Sequence, residues 1–154
     1  MQIRNINSED YESVREIITQ VHNLHFDNRP DLYKKDNPFN KEYFESLSSD
    51  NNSILLAAED GGSIIGICIA TVKEVTDSPV HKERRYICIE DICVDEKHRR
   101  LGIGKRLYDE IVNIAKRLKA DGIELTVFSF NKDAMSFYER LGLEIKNIRY
   151  EQKF

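Results

Sequence analysis

Short apolar runs alternate along the chain with stretches of helical periodicity, and the two patterns differ enough to predict most elements. Residues 2–6 read as a short strand. Ser8, followed by Glu9, Asp10 and Glu12, marks a helix start with acid in the first turn, and Val14, Ile17, Ile18 and Val21 recur behind it at helical spacing. Arg29-Pro30-Asp31 and Asn37-Pro38 predict turns, and residues 40–47 a second helix. Residues 53–59 and 64–73 predict strands joined at Asp60-Gly61-Gly62, where glycine accepts the positive φ of a tight hairpin. Residues 74–83 read as loop and 84–95 as a long central strand. A third helix over 103–119 carries Ile103, Leu107, Ile111, Ile114 and Leu118 on one face, with Gly122 as its C-cap. Residues 123–128 predict a buried strand, Asn131 caps a fourth helix that Gly142 ends, and residues 143–154 return as strand.

This order, β-α-α-β-β-β-α-β-α-β, is that of one α/β domain over residues 1–154, with an antiparallel front half and a parallel pair around the third helix. A chain of 154 residues, 40% of them hydrophobic, is large enough to bury one sizeable core. No apolar run approaches the ~18 residues that cross a bilayer, and no charged-then-apolar leader follows Met1, so a cytoplasmic protein with no membrane partner is expected. Cys68, Cys88 and Cys93 are odd in number, lie in apolar runs and lack Cys-x-x-Cys spacing, which predicts buried reduced thiols. His22, His25, His81 and His98 form no ligand pattern, and no metal is expected.

Charge adds a local feature. Lys97 to Arg106 holds five Lys or Arg and no acid, in a chain of formal net charge −4. It lies between a strand containing Ile87, Ile89, Ile92 and Val94 and a helix that begins behind Gly102 and Gly104. A basic turn leading through glycines into a helix N-terminus suits a pyrophosphate, because free N–H groups point outward and no Cβ blocks the approach. A P-loop is excluded, since Arg106 follows Lys105 and His98 stands where the first glycine belongs. The dinucleotide fingerprint is excluded by Leu107 at its third glycine. A sequence pI of 5.6 and the lack of interleaved aromatics argue against nucleic acid as partner.

Arg99-x-x-Gly102-x-Gly104 resembles the acetyl-coenzyme A signature of the GCN5-related N-acetyltransferases, the GNAT family. Downstream, Asn131-x-x-Ala134-x-x-Phe137-Tyr138-x-x-x-Gly142-Leu143 is similar to that family's second motif, with Leu143 where the family has Phe. The resemblance implies a GNAT-type mixed central sheet of six or seven strands flanked by about four helices. It also implies acetyl-CoA as co-substrate, no metal, and a primary amine as acceptor; a homodimer is compatible with it. Under it, the backbone of Ile92, Cys93 and Val94 receives the pantetheine arm, and Arg99, Arg100, Leu101, Gly102, Ile103, Gly104 and Lys105 hold the pyrophosphate. Asn131 both caps its helix and contacts pantetheine, and Tyr138 becomes the general acid for the leaving thiolate. By itself Tyr138 beside Phe137 would read as a core aromatic. The alternative function is a catalytically weak acyl-CoA-binding sensor.

A general base is needed because an ammonium must lose a proton before it attacks. Glu90 and Asp91 are adjacent on the central strand, and alternation predicts opposite faces; Glu90 stands first as base, against a salt bridge with Arg84 or Arg85. The acceptor is expected at residues 24–33 together with Glu90 or Asp91. Asp27 and Asp31 favour a cationic amine there, whereas Arg29 could grip a carboxylate. Ribosomal-protein alanine N-acetyltransferases carry a Glu where this chain has Thr126, which weakens protein N-terminal acetylation and leaves small-molecule amines open.

Overall fold

The computed structural model of the chain describes residues 1–36 and 39–154; the turn expected at Asn37-Pro38 lies outside them. The elements are β1 (Gln2–Asn5), α1 (Tyr11–Asn28), α2 (Lys41–Ser49), β2 (Ser53–Asp60), β3 (Ser63–Val75), β4 (Arg84–Val94), α3 (Ile103–Arg117), β5 (Gly122–Leu125) and α4 (Lys132–Arg140). The five strands form one sheet in chain order, antiparallel from β1 to β4 and parallel between β4 and β5. Gly61 and Gly62 both adopt positive φ, 56° and 81°, which closes the two-residue turn between β2 and β3.

Each face of the sheet has its own core. Leu107, Ile111 and Ala115 of α3 pack on Leu56, Cys68, Ala70, Ile87 and Ile89. Val14, Ile17 and Ile18 of α1 and Phe44 of α2 pack with Phe39 on Ile67, Ile69 and Cys93 across the other face. Gly66 of β3 lets α3 lie close, since a Cβ there would stand 2.9 Å from Ile103 Cγ2 and 3.2 Å from the Cys93 carbonyl.

Several expectations are corrected. Asn7, not Ser8, caps the first helical segment: its side chain accepts from Glu9 N–H, while Asp10 Oδ2 accepts from Asn7 N–H at 2.7 Å. The carboxylate of Asp10 is thereby turned back onto Arg4, which also reaches Glu59. Helix α3 ends in residues of its own, with Lys119 taking the left-handed turn, and Gly122 opens β5 instead of capping the helix. Cys88 is only partly buried, unlike Cys68 and Cys93.

The sheet has five strands among the described residues, not six or seven. Strand β5 stops at Leu125 because residues 126–130 turn away to place Phe128 and Phe130 against His25 and Tyr33. Its short edge offers few backbone groups, and residues 143–154 lie beside it without joining the ladder. That tail is held by side chains instead: Lys146 on Glu124, Glu151 on Arg29 and Lys153 on Asp31. Ile145, Ile148 and Tyr150 are 68%, 67% and 89% exposed, so no core draws the tail in as a strand.

Candidate active site

Strand β4 organises the site through an irregularity. Asp91 pairs with Ile69 and Ile89 with Ala70, which leaves Glu90 without a partner residue in β3. This bulge reverses the alternation. Ile87 and Ile89 face α3, whereas beyond the bulge Cys93 joins the α1/α2 core and Ile92 and Val94 pack toward α3. Glu90 and Asp91 therefore do not point to opposite faces as expected. The phenol of Tyr43 in α2 is pushed up by burial and then by both carboxylates, and the Cys88 thiol, on the face opposite Ile87 and Ile89, is pushed up by burial and then by Glu90. Both acids lie on the α1/α2 face.

Neither acid joins an ion pair among the described residues. Arg84 pairs with Glu124 and covers the Tyr86 ring at 4.3 Å, and Arg85 pairs with Glu74, so the expected salt-bridge alternative does not form. Asp91 is partly buried, and burial followed by the charge of Glu90 pushes its carboxyl above the usual range. Glu90 itself is exposed.

The parallel ladder between β4 and β5 ends at Ile89 and Leu125, so Ile92, Cys93 and Val94 have no strand partner on that side. The Val94 carbonyl accepts from Arg99 Nε at 3.2 Å. Beyond it, a helical turn of Glu96–His98 leads into the basic segment. Asp95 pins this turn to α1: its carboxylate accepts from Gln20 Nε2 at 2.8 Å and meets His98 Nδ1 at 2.6 Å, and Glu96 N–H donates to Gln20 Oε1 at 3.0 Å.

Helices α2 and α4 begin under Asn40 and Asn131, whose side chains accept from Tyr43 and Ala134 N–H at 2.8 and 3.1 Å. Helix α3 begins at Gly102 with no side-chain cap. Its first N–H groups have no capping side chain, and Arg100 and Gly102 before them take φ 64° and 79°, a geometry able to receive an anion. Arg100 is 78% exposed, with Asp133 3.5 Å away, and Lys105 is held by Asp109 at 2.7 Å. Leu101 is exposed, and Ile103 is buried under the loop.

Tyr138 of α4 is partly buried; burial first, then Cys93, Cys68 and Asp91, push its phenol well above the usual range. It stays protonated in any ordinary buffer and so keeps a proton to donate. Cys68 is pushed up to about 12 by burial and by Asp91, so its thiol is inert.

On the acceptor side, Tyr33 stacks on His25 with centroids 5.1 Å apart, and Phe128 lies 5.6 Å from His25 and 6.0 Å from Tyr33. Phe130 stacks on Phe128 at 5.3 Å. Burial and the neighbouring His22 push His25 down, which keeps its ring neutral near pH 7. Of residues 24–33, His25 and Tyr33 join this ring cluster, whereas Arg29 and Asp31 are bonded to each other rather than free. Sequence reasoning missed Phe128 and Phe130. Their i, i+2 spacing was the available signal; the predicted strand over 123–128 took in Phe128 and stopped short of Phe130.

The model of the acetyltransferase (GNAT) family matches residues 11–143. The chain belongs to this family. It is 27% identical over 149 residues to the L-amino acid N-acetyltransferase AaaT of Escherichia coli K12, covering 94% of this chain and 83% of that one. The crystal structure of the F44R mutant of the BH1408 protein from Bacillus halodurans superposes with a TM-score of 0.97 at 31% identity, over 100% of this chain and 99% of that chain. The aminoglycoside N-acetyltransferase AAC(6')-Iy in complex with CoA shares the fold at 16% identity, with a TM-score of 0.75 over 99% of both chains. This GNAT acetyltransferase thus combines the family's fold with a sheet of five strands among the described residues. No described helix is long and apolar enough to cross a membrane.

Proposed function

We propose that this acetyltransferase moves the acetyl group of acetyl-CoA directly onto the primary amine of a small molecule, amino acids included. The observation that carries the reading is the meeting of the two motifs. The Phe137 ring packs against Gly104, and the next residue, Tyr138, lies in the field of Cys93 and Asp91 beside the unpaired edge of β4. The similarity to an L-amino acid N-acetyltransferase supports a small acceptor over a protein one, as does Thr126 in place of a carboxylate.

Main-chain groups of Ile92, Cys93 and Val94 receive the pantetheine arm, with Asn131 at its side. The N–H groups of Leu101, Gly102, Ile103, Gly104 and Lys105, with Arg99 and Arg100, hold the pyrophosphate. Acetyl-CoA supplies the activated acyl carbon. Asp91 accepts the proton that the ammonium must lose, directly or through water, with exposed Glu90 beside it raising its basicity. As the new C–N bond forms and the C–S bond breaks, Tyr138 gives its proton to the departing thiolate and is restored by the second proton that the nitrogen sheds on becoming an amide, while β4 N–H groups stabilise the acyl oxygen.

Release of free thiol from acetyl-CoA, measured with a panel of amino acids, polyamines, aminoglycosides and N-terminal peptides, tests the reading. Turnover with a small amine is expected. Tight acetyl-CoA binding without thiol release for any amine would instead mark a sensor.

A further inference from the structure

The ring wall on the acceptor side ends in an arginine surrounded by carboxylates. Arg29 Nε and Nη2 donate to Asp31 Oδ1 and Oδ2, both at 2.9 Å, and Nη2 reaches Glu151 of the C-terminal tail at 2.8 Å. The Arg29 guanidinium lies over the Phe128 ring, 5.9 Å from its centroid. Its side chain is 17% exposed, that of Glu151 54%. At the other end of the wall, burial first and then the charge of Asp91 push the Tyr33 phenol up, against the opposing pull of Arg29. Arg29, Phe128, Tyr33 and Asp91 thus make one path with a cation at one end, a carboxylate at the other and rings between.

The two partners of Arg29 differ in kind. Asp31 is two residues away and grips it through two parallel bonds, a geometry that fixes the guanidinium plane. Glu151 sits on an irregular tail, and an ion pair that exposed contributes little to stability. A ligand carboxylate taking the place of Glu151 would leave the guanidinium fully bonded. Lys153, 2.7 Å from Asp31, would keep the tail attached while Glu151 swings away. The rings in between offer apolar faces for an aliphatic stem.

Building on the acetyl-transfer reading above, we propose that the preferred acceptor is the terminal amine of a basic amino acid of the ornithine or lysine kind, whose carboxylate displaces Glu151 from Arg29. Its stem lies along Phe128 and Tyr33, and its ammonium meets Asp91 and Glu90. An α-amine lies one carbon from its carboxylate, whereas a terminal amine is carried away from it by the length of the stem.

The test compares L-ornithine with putrescine, which has a similar stem and amine but no carboxylate, by thiol release in wild type, Arg29→Gln and Glu151→Gln. Product NMR locates the acetyl group, and thermal unfolding checks the fold. The ratio of kcat/KM for ornithine to that for putrescine should fall about tenfold or more in Arg29→Gln. It should rise severalfold in Glu151→Gln, where the competing carboxylate is gone. An unchanged ratio in Glu151→Gln, or acetyl on the α-nitrogen, would overturn the displacement. If Arg29→Gln does not fold, Glu151→Gln still decides, since it removes only an exposed charge. Thiol release with putrescine but not ornithine overturns the carboxylate seat and leaves the acetyltransferase reading standing; release with no amine at all overturns both.

Discussion

A Cβ placed on Gly104 would stand 3.3 Å from Cζ of Phe137. One residue belongs to the glycine motif and the other to the downstream aromatic motif, and the Phe137 ring lies where a side chain on Gly104 would stand. The fit of α3 against α4 sets where the glycine turn lies relative to Tyr138.

Gly104→Val should therefore disturb more than local packing. The branched side chain overfills the space beside Phe137 and Val94 and costs about 1–3 kcal/mol. Thermal unfolding should show the loss, and calorimetry should show weaker acetyl-CoA binding. A variant with wild-type melting and affinity would mean that α4 shifts freely against α3.

A Cβ on Gly102 would meet nothing within 4 Å, so the demand at this position is conformational, φ 79°. Gly102→Ala should cost about 1–2 kcal/mol of strain, and Gly102→Asn less, because Asn tolerates the left-handed region. Gly102→Glu adds a negative charge at the anion site and should weaken acetyl-CoA far beyond either. Equal affinities for Asn and Glu variants would remove the pyrophosphate from this turn.

Tyr138→Phe keeps the ring and deletes the donor. We expect kcat to fall roughly tenfold or more, with acetyl-CoA affinity little changed. Because the phenol is held well above its usual range, the wild-type rate should show no alkaline limb due to Tyr138 below about pH 10. Steady-state kinetics across pH measures both effects.

Asp91 joins stability to function. Its carboxyl is raised in the folded state, so the native protein holds that proton more tightly than the unfolded chain. The contribution to stability is thus fully present below the unfolded value and is lost as pH rises through the folded one. Asp91→Asn, which cannot ionise, should melt higher than wild type at pH 7–8, with the gap closing in acid, while thiol release collapses. Glu90→Gln removes the neighbouring charge and should move the acid limb of the pH–rate profile to lower pH. An unmoved limb would separate Glu90 from the base.

Much of this protein was readable from residue order alone. Hydrophobic periods placed four helices and the front strands within a few residues, because each buries a continuous apolar stripe whose spacing is local information. The two motifs located the glycine turn before α3 and the start of α4, since glycine at positive φ and a capping Asn are requirements of a few consecutive residues. Alternation failed at Glu90 and Asp91, where register against β3 inserts one residue and turns both acids to the same face. Register depends on a partner strand some twenty residues earlier in the chain, and no local pattern encodes it. The seat of Arg29 likewise joins α1's end, the segment after β5 and the C-terminal tail. Only folding brings those three segments together, and so only the tertiary structure decides that Arg29 and Asp31 are bonded to each other and that Phe128 and Phe130 leave the sheet to line the site.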